Sequence, residues 1–216
     1  MAAGRIHAVG LATGLVVWNG LVDPRLPGRW QPLVRAALGS LLMVATGARA
    51  GLRPPALWSG LRLGAVAATA VSAGVAATSA VPLVRTEMRD KVLPGNPGRW
   101  LALRIPLGTV WPEEAAFRAA LSKVGTEAFG PAGGQMLQAT AFGLSHIADA
   151  RAAGQPVIPT VLVTGIAGWV FGRFAQRSGS LAASVLTHLA INEVGALAAL
   201  AYQAAPKALP PPGAPR

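Results

Sequence analysis

Long apolar segments constrain this chain more than any other feature. About seven of them follow one another, at residues 6–21, 33–48, 63–84, 100–124, 134–148, 156–174 and 181–202. The hydrocarbon core of a bilayer is about 30 Å thick and takes roughly 20 helical residues to cross. Because no water is present there to pair with backbone N–H and C=O groups, an apolar segment crosses as a helix. The sequence therefore predicts an all-α, polytopic transmembrane bundle of about seven helices.

The composition agrees with a membrane protein. Of the 216 residues, 52% are hydrophobic and only 12% are charged, which is too apolar for an ordinary water-soluble domain. The formal net charge is +11, but the basic residues are scattered over many loops. A nucleic-acid site gathers its cations on one face or one helix. We therefore expect no nucleic-acid partner, and we assign the cations to anionic lipid head groups.

The pattern predicts a single integral-membrane domain over residues 1–205. The last segment, residues 206–216, is rich in proline and alanine, which is typical of a disordered tail. The sequence contains no cysteine, so a disulfide framework and thiolate catalysis are both excluded. Its high content of alanine, glycine and arginine favours a bacterial source. We therefore expect the protein in a bacterial cytoplasmic membrane.

Ionisable side chains inside the apolar segments are costly at bilayer depth, so they are kept for pairing or for chemistry. The fourth segment carries Glu113, Glu114 and Arg118. At about 100° per residue, Arg118 returns to within about 40° of Glu114 but lies about 140° from Glu113. Glu114 and Arg118 are therefore predicted to pair, which leaves Glu113 as the unpaired carboxylate. Pro112 suits a first helical turn or a kink, so Glu113 is predicted to lie near a helix N-terminus.

Two later segments carry histidine and asparagine. Phe142 and His146 share a helix face by their i,i+4 spacing, and so do His188 and Asn192. Each pair alone is as easily explained by packing or interhelical hydrogen bonds. Together with Glu113 they supply what water-driven amide hydrolysis needs, namely a carboxylate that moves protons and N–H groups that hold an oxyanion. Glu113, His146 and His188 also form a candidate zinc ligand set, and the residues alone do not separate the two mechanisms.

The ordered set of motifs resembles that of a known protein family. Glu113-Glu114-x-x-x-Arg118, Phe142-x-x-x-His146 and His188-x-x-x-Asn192 lie on successive hydrophobic segments. They are similar to the three motifs of the CPBP family, which comprises type II CAAX prenyl proteases and bacteriocin-processing or immunity proteins, also called the Abi family. The resemblance covers about residues 100–202, which places the catalytic core in the last four helices. It implies an intramembrane endopeptidase.

The resemblance also implies a role for each motif residue. Glu113 activates water with the help of His146, while His188 and Asn192 form the oxyanion site. Three further residues have structural roles: Glu114, Arg118 and Phe142. The resemblance favours a mechanism without a cofactor, with zinc as the alternative, and a hydrophobic or lipid-modified peptide substrate in the bilayer. The rival hypothesis is a non-catalytic membrane protein, either a transporter component or a bacteriocin-immunity scaffold.

Overall fold

The computed structural model describes residues 2–204, and these fold into the predicted all-α bundle. In chain order the helices are α1 (Ala2–Val17), α2 (Gln31–Ala45), α3 (Ala56–Ser79), α4 (Pro82–Asp90), α5 (residues 97–129), α6 (residues 131–145), α7 (Ile147–Ala152), α8 (Val157–Ser178) and α9 (Leu181–Ala204). The short helices α4 and α7 lie between the seven longer ones, which correspond to the seven predicted segments. The tail predicted at residues 206–216 lies outside the described residues.

Four helical stretches are long and apolar enough to cross a bilayer. They are Ala2–Arg25, which extends α1 through a π-helical and a 3₁₀ turn, together with α3, α8 and α9. The apolar helix α2 is shorter, and α5 carries the charged motif. With so many spanning helices, the chain is an integral membrane protein.

Helix α5 runs through Pro112 without a break, so the predicted helix start at this proline is wrong. The backbone stays in the right-handed helical region from Val110 to Glu114. Proline lacks the N–H that would bond to the carbonyl four residues earlier, here Gly108. That carbonyl instead accepts a hydrogen bond from Nη1 of Arg35 on α2, at 3.0 Å. Helix α5 also widens into π-helical turns on both sides of Pro112, a feature frequent at functional sites.

A glycine separates α5 from α6. Gly130 has φ 75° and ψ 173°, which only glycine adopts without strain, and Pro131 follows it. A Cβ atom on Gly134 would lie 2.4 Å from the backbone nitrogen of Thr126, so the two helices touch backbone to backbone here. This close antiparallel return brings the later part of α6 back beside the charged turns of α5.

The remaining helices close around this pair. Helix α9 packs along α3, and α8 packs against α6 and α9. Helix α2 lies directly on α5, since a Cβ atom on Gly39 would sit 2.7 Å from the carbonyl oxygen of Pro112. A buried apolar cluster joins α1, α5 and α6 through Ala12, Leu15, Ala116, Phe117, Leu121, Ala141 and Phe142. The polar motif residues therefore lie inside a bundle to which α1 and α2 also belong.

Candidate active site

Glu114 is the centre of a buried charged cluster. Its side chain has no solvent-exposed surface, and Oε1 lies 2.8 Å from Nδ1 of His188 on α9. Its other oxygen, Oε2, lies 3.5 Å from Nε of Arg118, one turn along α5. The predicted ion pair between Glu114 and Arg118 is therefore present. The sequence did not reveal that His188 is a second partner of the same carboxylate, because that contact crosses between helices.

Aromatic rings surround the guanidinium of Arg118. Its Cζ atom lies 3.8 Å from the ring centroid of Phe142 and 5.2 Å from that of Phe171. A cation over an aromatic face is stabilised by the ring quadrupole, and more strongly where water is excluded. Phe171 also stacks on His188, with ring centroids 5.0 Å apart. Phe142 on α6 and Phe171 on α8 therefore hold the cluster in place, and the sequence pattern had not singled out Phe171.

Glu113 faces the other side of the same histidine. Its Oε2 lies 3.8 Å from Nε2 of His188, which is an ion-pair distance but too long for a hydrogen bond. The carboxylate of Glu114 can only accept, so Nδ1 of His188 carries the hydrogen of their bond. Nε2 is consequently the ring nitrogen that faces Glu113. Arg118 pairs with Glu114, whereas Glu113 faces Nε2 of His188 at the longer distance.

A small cavity lies beside Glu113. Its volume is about 30 Å³, which is room for one or two water molecules. The walls come from α5 and from two helices that the sequence analysis left outside the catalytic core, with Leu15, Trp18 and Asn19 from the α1 end and Arg35, Leu38 and Gly39 from α2. Helices α1 and α2 therefore border Glu113 in addition to the four helices expected to form the catalytic core.

Arg35 is the polar wall residue that sequence reasoning missed. It pairs with Asp23, which is buried, and it also binds the Gly108 carbonyl freed by Pro112. In the sequence, Asp23 and Arg35 lie at the turn between the first two apolar segments, and neither was assigned a role in the site. The sequence offered no signal for these contacts, because the partners lie 12 and 73 positions from Arg35 and no spacing rule connects them.

His146 closes the C-terminal end of α6. Its Nδ1 lies 2.8 Å from the carbonyl oxygen of Phe142, and its ring is packed edge-on against the Phe142 ring, with centroids 4.7 Å apart. A carbonyl only accepts, so Nδ1 carries the hydrogen and Nε2 of the neutral ring keeps a lone pair. His146 therefore joins the cluster through Phe142 and retains one nitrogen that can accept a proton.

Asp149 lies one turn beyond His146, on α7. Although the residue as a whole is exposed, desolvation of its carboxylate raises the pKa of Asp149. The charge of His146 lowers that pKa, and the charge of Glu113 raises it.

Asn192 lies one turn beyond His188 on α9, as predicted, but its amide is turned toward its own helix. Nδ2 donates to the carbonyl oxygen of His188 at 3.1 Å. An amide nitrogen carries two hydrogens, so one donor of Asn192 remains. The structure thus brings together Glu113, Glu114, Arg118, Phe142 and His188, and it places His146 and Asn192 at the edges of that group.

The predicted zinc ligand set does not fit this arrangement. Within residues 2–204, no three histidine, aspartate or glutamate side chains are grouped so that they could hold a metal ion. Glu113, His146 and His188 therefore do not offer three ligands to one point.

Comparison with known families assigns the motif-bearing part of the chain. The family described as type II CAAX prenyl endopeptidase, Rce1-like, matches residues 95–194. This segment of the chain is therefore similar to the Rce1-like family. It contains all three motifs, so the resemblance drawn from them is confirmed, and the similarity implies CAAX-type protease activity in the membrane. No curated protein and no solved structure matches the chain significantly.

Proposed function

We propose that this protein is an intramembrane endopeptidase in which Glu113 activates water to cleave a peptide bond. The observation that carries the proposal is the position of Glu113, which lies between a cavity that has room for water and Nε2 of His188. Its neighbour Glu114 is bonded to His188 and ion-paired with Arg118, so we assign the chemistry to Glu113.

The reaction follows from these contacts. Glu113 accepts a proton from water in the cavity, and the water oxygen forms a bond to the carbonyl carbon of the substrate. The C–N bond then breaks as Glu113 returns the proton to the leaving amine. His146 contributes its Nε2 lone pair, which orients the water or shares the proton. Each proton is accounted for by groups of the chain, and no metal ion is required.

Two N–H groups are available for the negative charge that develops on the carbonyl oxygen. His188 offers Nε2–H when its ring carries a proton on both nitrogens, and Asn192 offers its remaining amide hydrogen. Fixed donors of this kind stabilise an oxyanion most strongly where water is excluded. In this proposal Glu114 is a positioning residue, since its bond to Nδ1 turns Nε2 of His188 toward the reaction centre.

The substrate class follows from the family and the setting. A hydrophobic or lipid-modified peptide in the bilayer would reach a site enclosed by apolar helices, and the family name refers to a prenylated C-terminal sequence. We also propose the bacterial cytoplasmic membrane as the location, from the alanine, glycine and arginine content.

The proposal is tested by cleavage of hydrophobic fluorogenic peptides with purified, detergent-solubilised protein, with and without a zinc chelator. Wild type should cleave, the chelator should not inhibit, and Glu113→Gln should abolish cleavage while the protein stays folded. Glu193→Gln is a matched control, because Glu193 is an acid on α9 outside the cluster. Equal cleavage by wild type and Glu113→Gln would overturn the role of Glu113, and loss with chelator would indicate a metal mechanism.

A further inference from the structure

A second cavity, which we call the basic cavity, lies at the end of α2. It is open to the surroundings, with a volume of about 790 Å³. Its polar lining consists of Arg49, Arg118, Ser122, Lys123, Thr126, Glu127 and Gln176. Of these, Arg118 is already paired with Glu114. Lys123 pairs with Glu127 within this lining. Among residues 2–204, Arg49 forms no ion pair with an acid, so the cavity carries an excess of positive charge.

The loop that presents Arg49 is held firmly. The backbone N–H of Leu181 donates to the carbonyl of the next residue, Ala50, at 2.9 Å. Gly51 has φ 64°, and a Cβ atom there would lie 2.0 Å from the carbonyl oxygen of Gly179. The loop thus packs backbone to backbone on the turn between α8 and α9. A cation on a loop of this kind is preorganised, which lowers the entropic cost of binding an anion.

The basic cavity and the Glu113 cavity lie along the same helix pair. Residues of α2 and α5 line the Glu113 cavity, and the segment after α2 lines the basic cavity together with the continuation of α5. On α5, Ala116 borders the first cavity and Ala119 borders the second, so about one helical turn separates them. Leu42 of α2 packs against the apolar cluster, which includes Ala116.

From this placement we infer that the basic cavity binds the C-terminal carboxylate of the peptide that Glu113 cleaves, with Arg49 as its main ligand. The inference rests on the proposed function. A CAAX-type substrate ends in three residues and a free carboxylate after the modified cysteine. An arginine binds such a carboxylate through two parallel N–H···O bonds.

The length of that C-terminal segment agrees with the spacing of the two cavities. Three extended residues span about 10 Å. Along α5, Glu113 and Lys123 are ten residues apart, which is about 15 Å at the rise of an α-helix and less through its π-helical turns. The long side chains at the basic cavity shorten the remaining gap. A carboxylate three residues beyond a scissile bond at Glu113 is therefore within reach of the long side chains that line the basic cavity.

The experiment compares one farnesylated CAAX-type peptide with its C-terminally amidated twin, using full-length protein in phosphatidylcholine nanodiscs. Wild type should cleave the free acid with a KM about tenfold lower than that of the amide. Arg49→Gln should raise the KM of the acid to that of the amide, and Arg49→Lys should retain part of the preference. Arg53→Gln is the matched control, since Arg53 lies on the same loop but does not line the basic cavity.

Binding of the two uncleaved peptides to Glu113→Gln separates the failure of this inference from that of the proposed function. Cleavage of both peptides with equal KM, or an acid preference that survives in Arg49→Gln, overturns the carboxylate site and leaves the protease intact. Acid-selective binding that requires Arg49, without cleavage by wild type, overturns the proposed function and supports the site.

Lipid phosphate is the competing anion. Phosphatidylglycerol is added to the nanodiscs, and the melting temperature of wild type is compared with that of Arg49→Gln. Stabilisation by this lipid that is lost in Arg49→Gln, together with an unchanged preference for the acid peptide, means that the cavity binds a head group. That result overturns the inference, whereas loss of the acid preference in Arg49→Gln supports it.

Discussion

Nδ1 of His188 lies 2.8 Å from Oε1 of Glu114, in a part of the bundle where the glutamate is fully buried. This contact joins α9 to α5 and determines which ring nitrogen faces Glu113. In the proposed mechanism, this contact makes Glu114 a structural acid rather than a catalytic one. Two adjacent glutamates thus have different surroundings, because successive residues of a helix point in different directions.

Glu114→Ala and Arg118→Ala should each destabilise the protein, by about 3–5 kcal/mol, because each leaves the other charge buried without its partner. The measurement is thermal unfolding in detergent. The double variant Glu114→Gln with Arg118→Met is the control, and it should be more stable than either single variant, since both charges are removed together. Normal stability in both single variants would contradict the pairing.

His146→Ala should lower kcat by roughly 10²-fold or more, the range for loss of a group that assists proton transfer. Its unfolding free energy should fall by only about 1 kcal/mol, because the ring makes one hydrogen bond to Phe142. Ser145→Ala is the matched control, since the Ser145 hydroxyl donates to the same carbonyl. If both variants lose the same fraction of activity, His146 acts through local structure alone.

Gly39→Ala should destabilise the protein by about 1–3 kcal/mol and reduce cleavage, because the added methyl group meets the Pro112 backbone and moves α5 at Glu113. Gly74→Ala is its control. A Cβ atom on Gly74 in α3 meets nothing within 4 Å, and alanine is the better helix former there. Equal stability of the two variants would argue against the close contact between α2 and α5.

Arg35→Gln should cost about 2 kcal/mol or more in stability, since Asp23 is left buried and the Gly108 carbonyl loses its donor. Activity should fall more than stability explains, because Arg35 lines the Glu113 cavity. Arg25→Gln serves as the control, as Arg25 is an exposed arginine close to the same turn. Unchanged activity in folded Arg35→Gln would restrict the site to the last four helices.

Much of this architecture follows from local pattern. The seven apolar segments predict the helices, since hydropathy at bilayer length leaves the backbone no alternative. The i,i+4 spacing predicts the pair between Glu114 and Arg118, because both residues lie on one helix. The same angular spacing predicts that Glu113 points away from that pair. In the structure Glu113 faces His188, as this prediction requires.

Contacts between helices were harder to predict. Arg35 reaches Gly108 across 73 positions of sequence, and no spacing rule connects them. Pro112 suggested a helix start, whereas π-helical turns and the donor from Arg35 keep α5 continuous. The side chains of Asn192 and His188 were expected to point in the same direction. An amide can also bond to the backbone of its own helix, and Asn192 does so at the His188 carbonyl.

The central claim is that Glu113 activates the attacking water. The most direct test is single-turnover cleavage of a farnesylated CAAX-type peptide in proteoliposomes prepared in H₂¹⁸O, with the new C-terminus analysed by mass spectrometry. Wild type and Glu193→Gln should yield product with one ¹⁸O at the new carboxylate, and folded Glu113→Gln should yield none. Labelled product from Glu113→Gln at the wild-type rate would contradict the assignment of Glu113 as the general base.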